Sequence, residues 1–207
     1  MICFKMKILL HACCGPCACY PTVKLTEDKI DFDIFWYNPN IHPYTEYKKR
    51  LATLRDFCIK CNYNLLIDKD YSLEKMISAM LAEQECRCWA CYRVRLRYVA
   101  EYAAKHNYDA FSTTLLVSPY QKHDYIKEIA EQTATEFGIK FYYEDWRTGY
   151  EQGVKRSLDL GLYRQQYCGC VFSERDRYQP SGNRCQVSGN TQEQIVRVTK
   201  NIAIVRG

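Results

Sequence analysis

Three short motifs hold seven cysteines: Cys13-Cys14-x-x-Cys17, Cys88-x-x-Cys91 and Cys168-x-Cys170. Thiolates grouped in this way ligate a metal or exchange with a disulfide. In Cys13-Cys14-Gly15-Pro16-Cys17 the glycine and proline shape a tight turn, and a helix N-terminus behind it favours anionic sulfur. In Cys88-Trp89-Ala90-Cys91 the i, i+3 spacing places both sulfurs on one face of a first helical turn. In Cys168-Gly169-Cys170 the glycine lets the backbone bend so that both thiolates face one centre. Any one motif alone reads as a thioredoxin-like pair or half a zinc site. Together they exceed the four ligands of a tetrahedral zinc or one [4Fe-4S] cluster. The surplus points to a cluster with a second metal, or a cluster beside a redox-active pair.

The other cysteines of the thirteen divide on local grounds. Cys58 and Cys61 repeat the CxxC spacing, but they continue the Leu51 and Leu54 stripe of one amphipathic helix. A free cysteine packs there as a small hydrophobe. Cys19 is read as a bystander of the first motif and Cys86 as a spare beside the second, while Cys3 and Cys185 have no partner motif. An odd count excludes complete pairing within one chain, and 207 residues bury a core without staples. No apolar run reaches the length of a membrane span and no secretory signal opens the chain, so a cytoplasmic protein with no membrane partner is expected. Disulfides are rare in that compartment, which favours metal or thiol redox chemistry. The net charge of +5 is uneven: residues 174–207 carry +3 of it, so a general polyanion-binding surface is not evident. Local basic runs remain at Lys48-Lys49-Arg50 and at Arg87, Arg93, Arg95 and Arg97, which have no acid between them.

Elements that position these motifs follow from the hydrophobic pattern. Strands are expected at Lys7 to His11, Asp33 to Tyr37, Tyr63 to Ile67, Ala110 to Thr114 and Ile139 to Glu144. Helices are expected over Tyr44 to Cys61, from an N-cap at Ser72 to Leu81, over Trp89 to His106, over Asp124 to Phe137 ending at Gly138, and over Tyr150 to Leu160 stopped by Gly161. Strands alternating with helices imply an α/β domain with a parallel sheet, whose ligand sits beyond the carboxyl ends of the strands. The first cysteine motif, Asn38-Pro39-Asn40 and Leu115 to Tyr120 all lie at such ends. One α/β metalloenzyme domain over 1–177 carries every metal-site cysteine, and 178–207 is an appendage of unread role.

Five longer stretches carry a resemblance. They are His11-Ala12-Cys13-Cys14-Gly15-Pro16-Cys17, Tyr37-Asn38-Pro39-Asn40-Ile41-His42-Pro43, Arg87-Cys88-x-x-Cys91-Tyr92-x-x-Arg95-Leu96, Ser112 to Gln121, and Tyr167-Cys168-Gly169-Cys170-x-Phe172-Ser173. In order and spacing they resemble the signature set of the QueH-type epoxyqueuosine reductases. The resemblance implies reduction of epoxyqueuosine to queuosine at the wobble position of a tRNA with a GUN anticodon. It implies a [4Fe-4S] cluster, an additional mononuclear iron, no cobalamin, and an external low-potential electron donor. It also implies a Rossmann-like fold of the HUP or PP-loop kind, a three-layer domain with an added cysteine-rich helical part. Where PP-loop enzymes place a Ser-Gly-Gly-x-x-Ser loop for ATP phosphates, this chain has Cys13 to Cys17, so no ATP chemistry is expected.

Opening an epoxide to an alkene takes two electrons and two protons, and some acid must protonate the departing oxygen. His11, His42, Tyr120, His123 and Asp124 are the candidates at strand ends. Arg87, Arg93 and Arg97 are candidate phosphate contacts, with Arg95 facing elsewhere on the helix. Three other readings compete: a cluster-dependent PP-loop tRNA thiolase, a structural zinc protein that binds RNA, and a thiol-disulfide oxidoreductase.

Overall fold

The computed structural model describes residues 6–83 and 86–178. Five parallel strands form one sheet: β1 (Lys7–His11), β2 (Asp31–Trp36), β3 (Leu65–Ile67), β4 (Ala110–Thr113) and β5 (Lys140–Phe141), in the order β3-β2-β1-β4-β5. Each crossover carries helix: α1 (Gly15–Glu27), α2 (Tyr44–Cys61), α3 (Leu73–Ala82) with α4 (Arg87–Lys105), and α5 (His123–Phe137). After the sheet come α6 (Tyr150–Asp159) and α7 (Val171–Tyr178).

The central strand explains the layering. Ile8, Leu9, Leu10 and His11 are all fully buried, because helices cover both faces of the sheet. His11 is paired with Phe35 on one side and Thr113 on the other. The chain direction of assembly reverses between β1 and β4, and the crevice there is where an α/β sheet binds its ligand. The turn after β1 and the 3-10 turn Thr114–Val117 after β4 flank that crevice.

Most expected bounds hold within two residues, and the departures have local causes. The edge strand expected over Ile139 to Glu144 is paired only at Lys140–Phe141, with one more ladder bond from Tyr142 N to Phe111 O (2.9 Å). Ser72 occupies the N-cap position of α3 without capping it; its hydroxyl donates instead to Asp70 Oδ2 (2.5 Å). α4 starts two residues before the expected Trp89, so Cys88 is its second residue. Gly138 (φ +63) and Gly161 (φ +65) end α5 and α6 in the left-handed conformation, as their positions suggested. α7 was not foreseen and crosses the expected boundary at 177. Residues 179–207, and with them the rest of the expected appendage and Cys185, lie outside the described residues, as does Cys3.

Beside the main core sits a small satellite cluster. Met76 and Met80 of α3 pack on Cys91 of α4, with Ile77, Val94, Cys170 and Phe172 around them. This is the cysteine-rich helical part. No described helix is long and apolar enough to cross a membrane.

Candidate functional site

Gly15 brings the first motif close to α2. A Cβ there would lie 3.2 Å from both Thr53 Cγ2 and Thr53 O. The start of α1 therefore sits tightly on α2, and its free N–H groups face the cysteines. Cys14 is the extended N-cap residue, and its Sγ accepts from Cys17 N (3.4 Å). Cys13 is held by Thr114 from the end of β4: Cys13 N donates to Thr114 Oγ1 (3.1 Å), whose hydroxyl faces Cys13 Sγ (3.5 Å). Gln165 Nε2 donates to Cys14 Sγ (3.0 Å) and lies 4.0 Å from Cys17 Sγ.

The three sulfurs lie within 4.8 Å of one another, and Cys13 and Cys14 are 3.9 Å apart. A single tetrahedral ion with metal–sulfur bonds of about 2.3 Å holds its thiolates roughly 3.8 Å apart. The group therefore fits one metal ion. Its electrostatics also fit. Hydrogen bonds from Cys14 and Cys17 hold the Cys13 thiol well below its ordinary range, helped by the charge of Arg95 and by Thr114. Cys14 is pushed up by burial, and Cys17 by its bonds to Cys13 and Cys14. The three thiols are thus linked, with ionisation favoured at Cys13.

Cys88, Cys91, Cys168 and Cys170 form a second, looser group. Burial raises the Cys88 thiol, and the neighbouring charges of Cys168, Cys91, Cys86 and Cys170 raise it further; among the described residues only Cys13, Cys14 and Cys17 bring three sulfurs within 4.8 Å of one another. Burial pushes Cys91 up to about 12, against the pull of Arg95. Cys91 and Cys86 are buried, Cys88 and Cys170 half-buried, and Cys168 exposed. The loop bearing Cys168 is pinned by Arg50, whose guanidinium donates to Cys168 O (3.0 Å) and Tyr167 O (3.1 Å). Glu46 holds Arg50 in turn (2.6 Å). Gly169 has φ +130, and a Cβ there would meet Arg50 Nη1 at 3.0 Å, so only glycine fits. His42 N donates to Gly169 O (2.7 Å), and Tyr167 Oη donates to His42 O (2.5 Å).

Arg95 lies between the two groups. It is 1% exposed, and none of the described ion pairs gives it a carboxylate. Its Nη2 donates to Asn38 Oδ1 (2.7 Å), Nη1 lies 3.9 Å from Cys91 Sγ, and Nε is buried without a partner. Asn38 in turn donates to Ala12 O (2.9 Å), tying the end of β1 to α4. Burial works against the charge of Arg95, but Cys91, Cys13 and Cys168 outweigh it, and the net direction is upward. A buried cation without a carboxylate is costly unless anions surround it. Here the acidic groups that face it are thiols, and of these Cys13 is the one held below its ordinary range.

The remaining candidates fall in different places. His11 is fully buried, with Nδ1 on Thr113 Oγ1 (2.9 Å) and Nε2 on Tyr37 O (3.2 Å); burial, helped by Arg95, lowers it to about 3. His42 bonds Tyr71 Oη (2.9 Å) and His123 bonds Tyr143 Oη (3.1 Å), and burial lowers both. Tyr120 is 81% exposed, with its ring edge-on to Tyr150 at 5.9 Å, and Asp124 is exposed in the first turn of α5. Arg87 lies over the Phe172 ring (4.4 Å), Arg93 is exposed, and Arg97 pairs with Glu136 (2.5 Å). Cys58 is buried in the main core, and Cys19 is buried too, its Sγ facing Gly15 O one turn back in α1 (3.5 Å). Sequence reasoning gave no site role to Arg50, Arg95, Tyr92 or Gln165. Arg95 carried a usable signal, since it stands one turn beyond Cys91 on the same face. Tyr92 Oη donates to Gln121 Oε1 (2.6 Å), and Gln121 lowers the Cys168 thiol against its burial.

The fold and site define a cysteine-rich α/β protein with a metal-competent thiolate group at the switch point of a parallel sheet. The sequence model of the family described as epoxyqueuosine reductase QueH matches residues 8–176. The chain is similar to the epoxyqueuosine reductase QueH of Dehalococcoides mccartyi, 39% identical over 83% of this chain and 94% of that protein. It is similar to that of Thermotoga maritima, 36% identical over 82% and 91%. It is also similar to that of Staphylococcus epidermidis, 34% identical over 82% and 76%. The chain belongs to the QueH family. These relatives favour neither a thiolase nor a zinc-binding module.

Proposed function

We propose that this protein reduces epoxyqueuosine to queuosine at the wobble position of tRNA with a GUN anticodon. The observation that carries the reading is the three-cysteine group Cys13, Cys14 and Cys17 after β1, with the buried cation Arg95 between it and Cys91. The reaction adds two electrons and two protons to the epoxide and yields an alkene and water.

Cys88, Cys91, Cys168 and Cys170 would hold a [4Fe-4S] cluster. Such a cluster takes its four thiolates on four separate irons, so their sulfurs stand farther apart than around one ion. Cys13, Cys14 and Cys17 would hold the additional mononuclear iron. When bound, these centres supply electrons one at a time and a Lewis acid for the epoxide oxygen. Neither cobalamin nor ATP is part of the reading, and the electrons come from an external low-potential donor.

The protein's own groups do the rest. Thr114 and Gln165 orient the Cys13 and Cys14 sulfurs. Met76 and Met80 keep water from Cys91 and Cys170. The departing oxygen needs a proton, and of the five candidates Tyr120 and Asp124 are exposed to deliver one. His11, His42 and His123 are turned inward and serve the fold. Arg87 and Arg93 contact backbone phosphates of the anticodon loop, with exposed tyrosines for unstacked bases to lie on. Arg97 is the weakest of the three, since Glu136 occupies it.

The test is an anaerobic assay of iron-loaded protein with epoxyqueuosine-containing tRNA and a low-potential reductant, read by nucleoside mass spectrometry. Queuosine should form in step with reductant consumed. A colourless protein holding stoichiometric zinc, or no queuosine, would overturn the reading.

A further inference from the structure

A cavity of about 80 Å³ opens beside Cys17. α1 supplies Pro16 and Cys17, the turn after β4 supplies Val117, α6 supplies Tyr150 and Val154, and the loop before the CxC motif supplies Gln165. Glycine makes the cavity possible. A Cβ at Gly149 would lie 2.0 Å from the Tyr20 ring, and one at Gly153 3.2 Å from Tyr20 Cβ, so α6 settles directly on α1. The space holds roughly five waters at about 15 Å³ each, which is the size of one small ring.

Its walls are apolar on one side, and Gln165, Arg164 and Tyr150 bring polar groups to the rest. Pro16, Val117 and Val154 offer carbon. Gln165 offers an amide whose Nε2 is taken by Cys14 Sγ (3.0 Å) and whose Oε1 is buried with no partner. An unpartnered buried carbonyl costs free energy unless a donor comes to it. The reactive part of epoxyqueuosine is a cyclopentane ring bearing the epoxide and two hydroxyls. It has one carbon face and donors on its rim.

We infer that this cavity receives the epoxycyclopentanediol ring, with Gln165 Oε1 accepting a hydrogen bond from a ring hydroxyl. The inference rests on the proposed function and adds the residue that determines specificity. The same amide then ties the ring to Cys14: Oε1 holds the substrate while Nε2 holds the sulfur. The ring lies against Cys17, so the three-cysteine group is the one that meets the epoxide, and the four-cysteine group stands behind it.

The test measures binding of iron-loaded protein to two tRNAs. One carries epoxyqueuosine; the other carries the same deazaguanine with its aminomethyl arm but no cyclopentane ring. Wild-type protein should prefer the first. Gln165→Met keeps the bulk and removes the acceptor; it should raise KM for the epoxyqueuosine tRNA about tenfold and erase the preference. Gln165→Glu restores an acceptor and should restore the preference. Gln165→Met also loses the contact to Cys14, so iron content is measured alongside. Val154→Phe fills the cavity without touching that contact; it should weaken binding of the first tRNA and leave the second unchanged. An unchanged preference in Val154→Phe overturns the inference, whatever Gln165→Met does. Failure of wild-type protein to form queuosine would overturn the function itself, a separate readout from the ratio of affinities.

Discussion

Two CxxC pairs with identical spacing meet opposite fates in this protein. Cys58 and Cys61 close α2, and Cys88 and Cys91 open α4. Burial does not separate them, since it pushes Cys58 and Cys91 alike up to about 12. Two other things do. The first is helix polarity: a first turn presents free N–H groups that favour anions, and a last turn presents carbonyls that do not. The second is company. Arg95 lowers Cys91 and Cys168 arrives from another part of the chain, whereas the charge that acts on Cys58 is that of Cys61, which raises it further. Cys61 takes only a hydrogen bond from Arg156 (3.5 Å), whose other arm holds Cys19 O (2.8 Å). Spacing alone does not separate the two pairs; the end of the helix and the neighbouring sulfurs do.

The widest gap between the two pairs should appear in metal content. Cys88→Ala or Cys91→Ala should remove most of the cluster iron and essentially all queuosine formation, while Cys61→Ala keeps both, as counted by anaerobic iron analysis and product assay. Iron lost equally from all three would erase the distinction. Next comes the buried cation. Arg95→Met strands the sulfurs it compensates and should destabilise the iron-loaded protein by ~3–5 kcal/mol in chemical denaturation. Arg97→Met, which removes an exposed pair, should leave the midpoint in place. A smaller effect is expected from Gly169→Ala, which forces a side chain into a left-handed position against Arg50. A cost of ~1–3 kcal/mol and slower iron loading should follow, visible by thermal melting and by the rise of visible absorption. The smallest change should come from Cys58→Ala, a packing loss of ~1 kcal/mol with full iron content. Loss of iron there would place Cys58 among the ligands.

The order of strands and helices was legible because the longer helices and the central strands show their period, and the core assignment of Cys58 followed from the same periodicity. β5 was overcalled because an apolar edge segment has one neighbour to pair with, and only two residues find it. α7 was missed because its eight residues bury none of their side chains and leave no stripe. His11 looked like a site acid because it ends the first strand. The end of a central strand between two helical layers is also the best-buried place in such a sheet. Arg95 was read as facing away from the other arginines of α4, which is correct, and the direction it faces is the cysteines. Gln165 lies in an irregular loop, and no pattern in the chain marks an amide whose partner is 151 residues away.

The interlock of Tyr20 with Gly149, at the N-cap of α6, and Gly153, inside it, has a kinetic consequence. Tyr20 stands one turn beyond Cys17, and its ring occupies the space that a side chain at 149 would need. The two walls of the cavity are thus keyed to each other by direct contact. A receptor of this kind is ready before its ligand arrives and loses little freedom on binding. The slow part of encounter then belongs to the RNA, which must swing its wobble base out of the anticodon stack. Association should quicken with any change that loosens that stack, and barely respond to changes that loosen the protein.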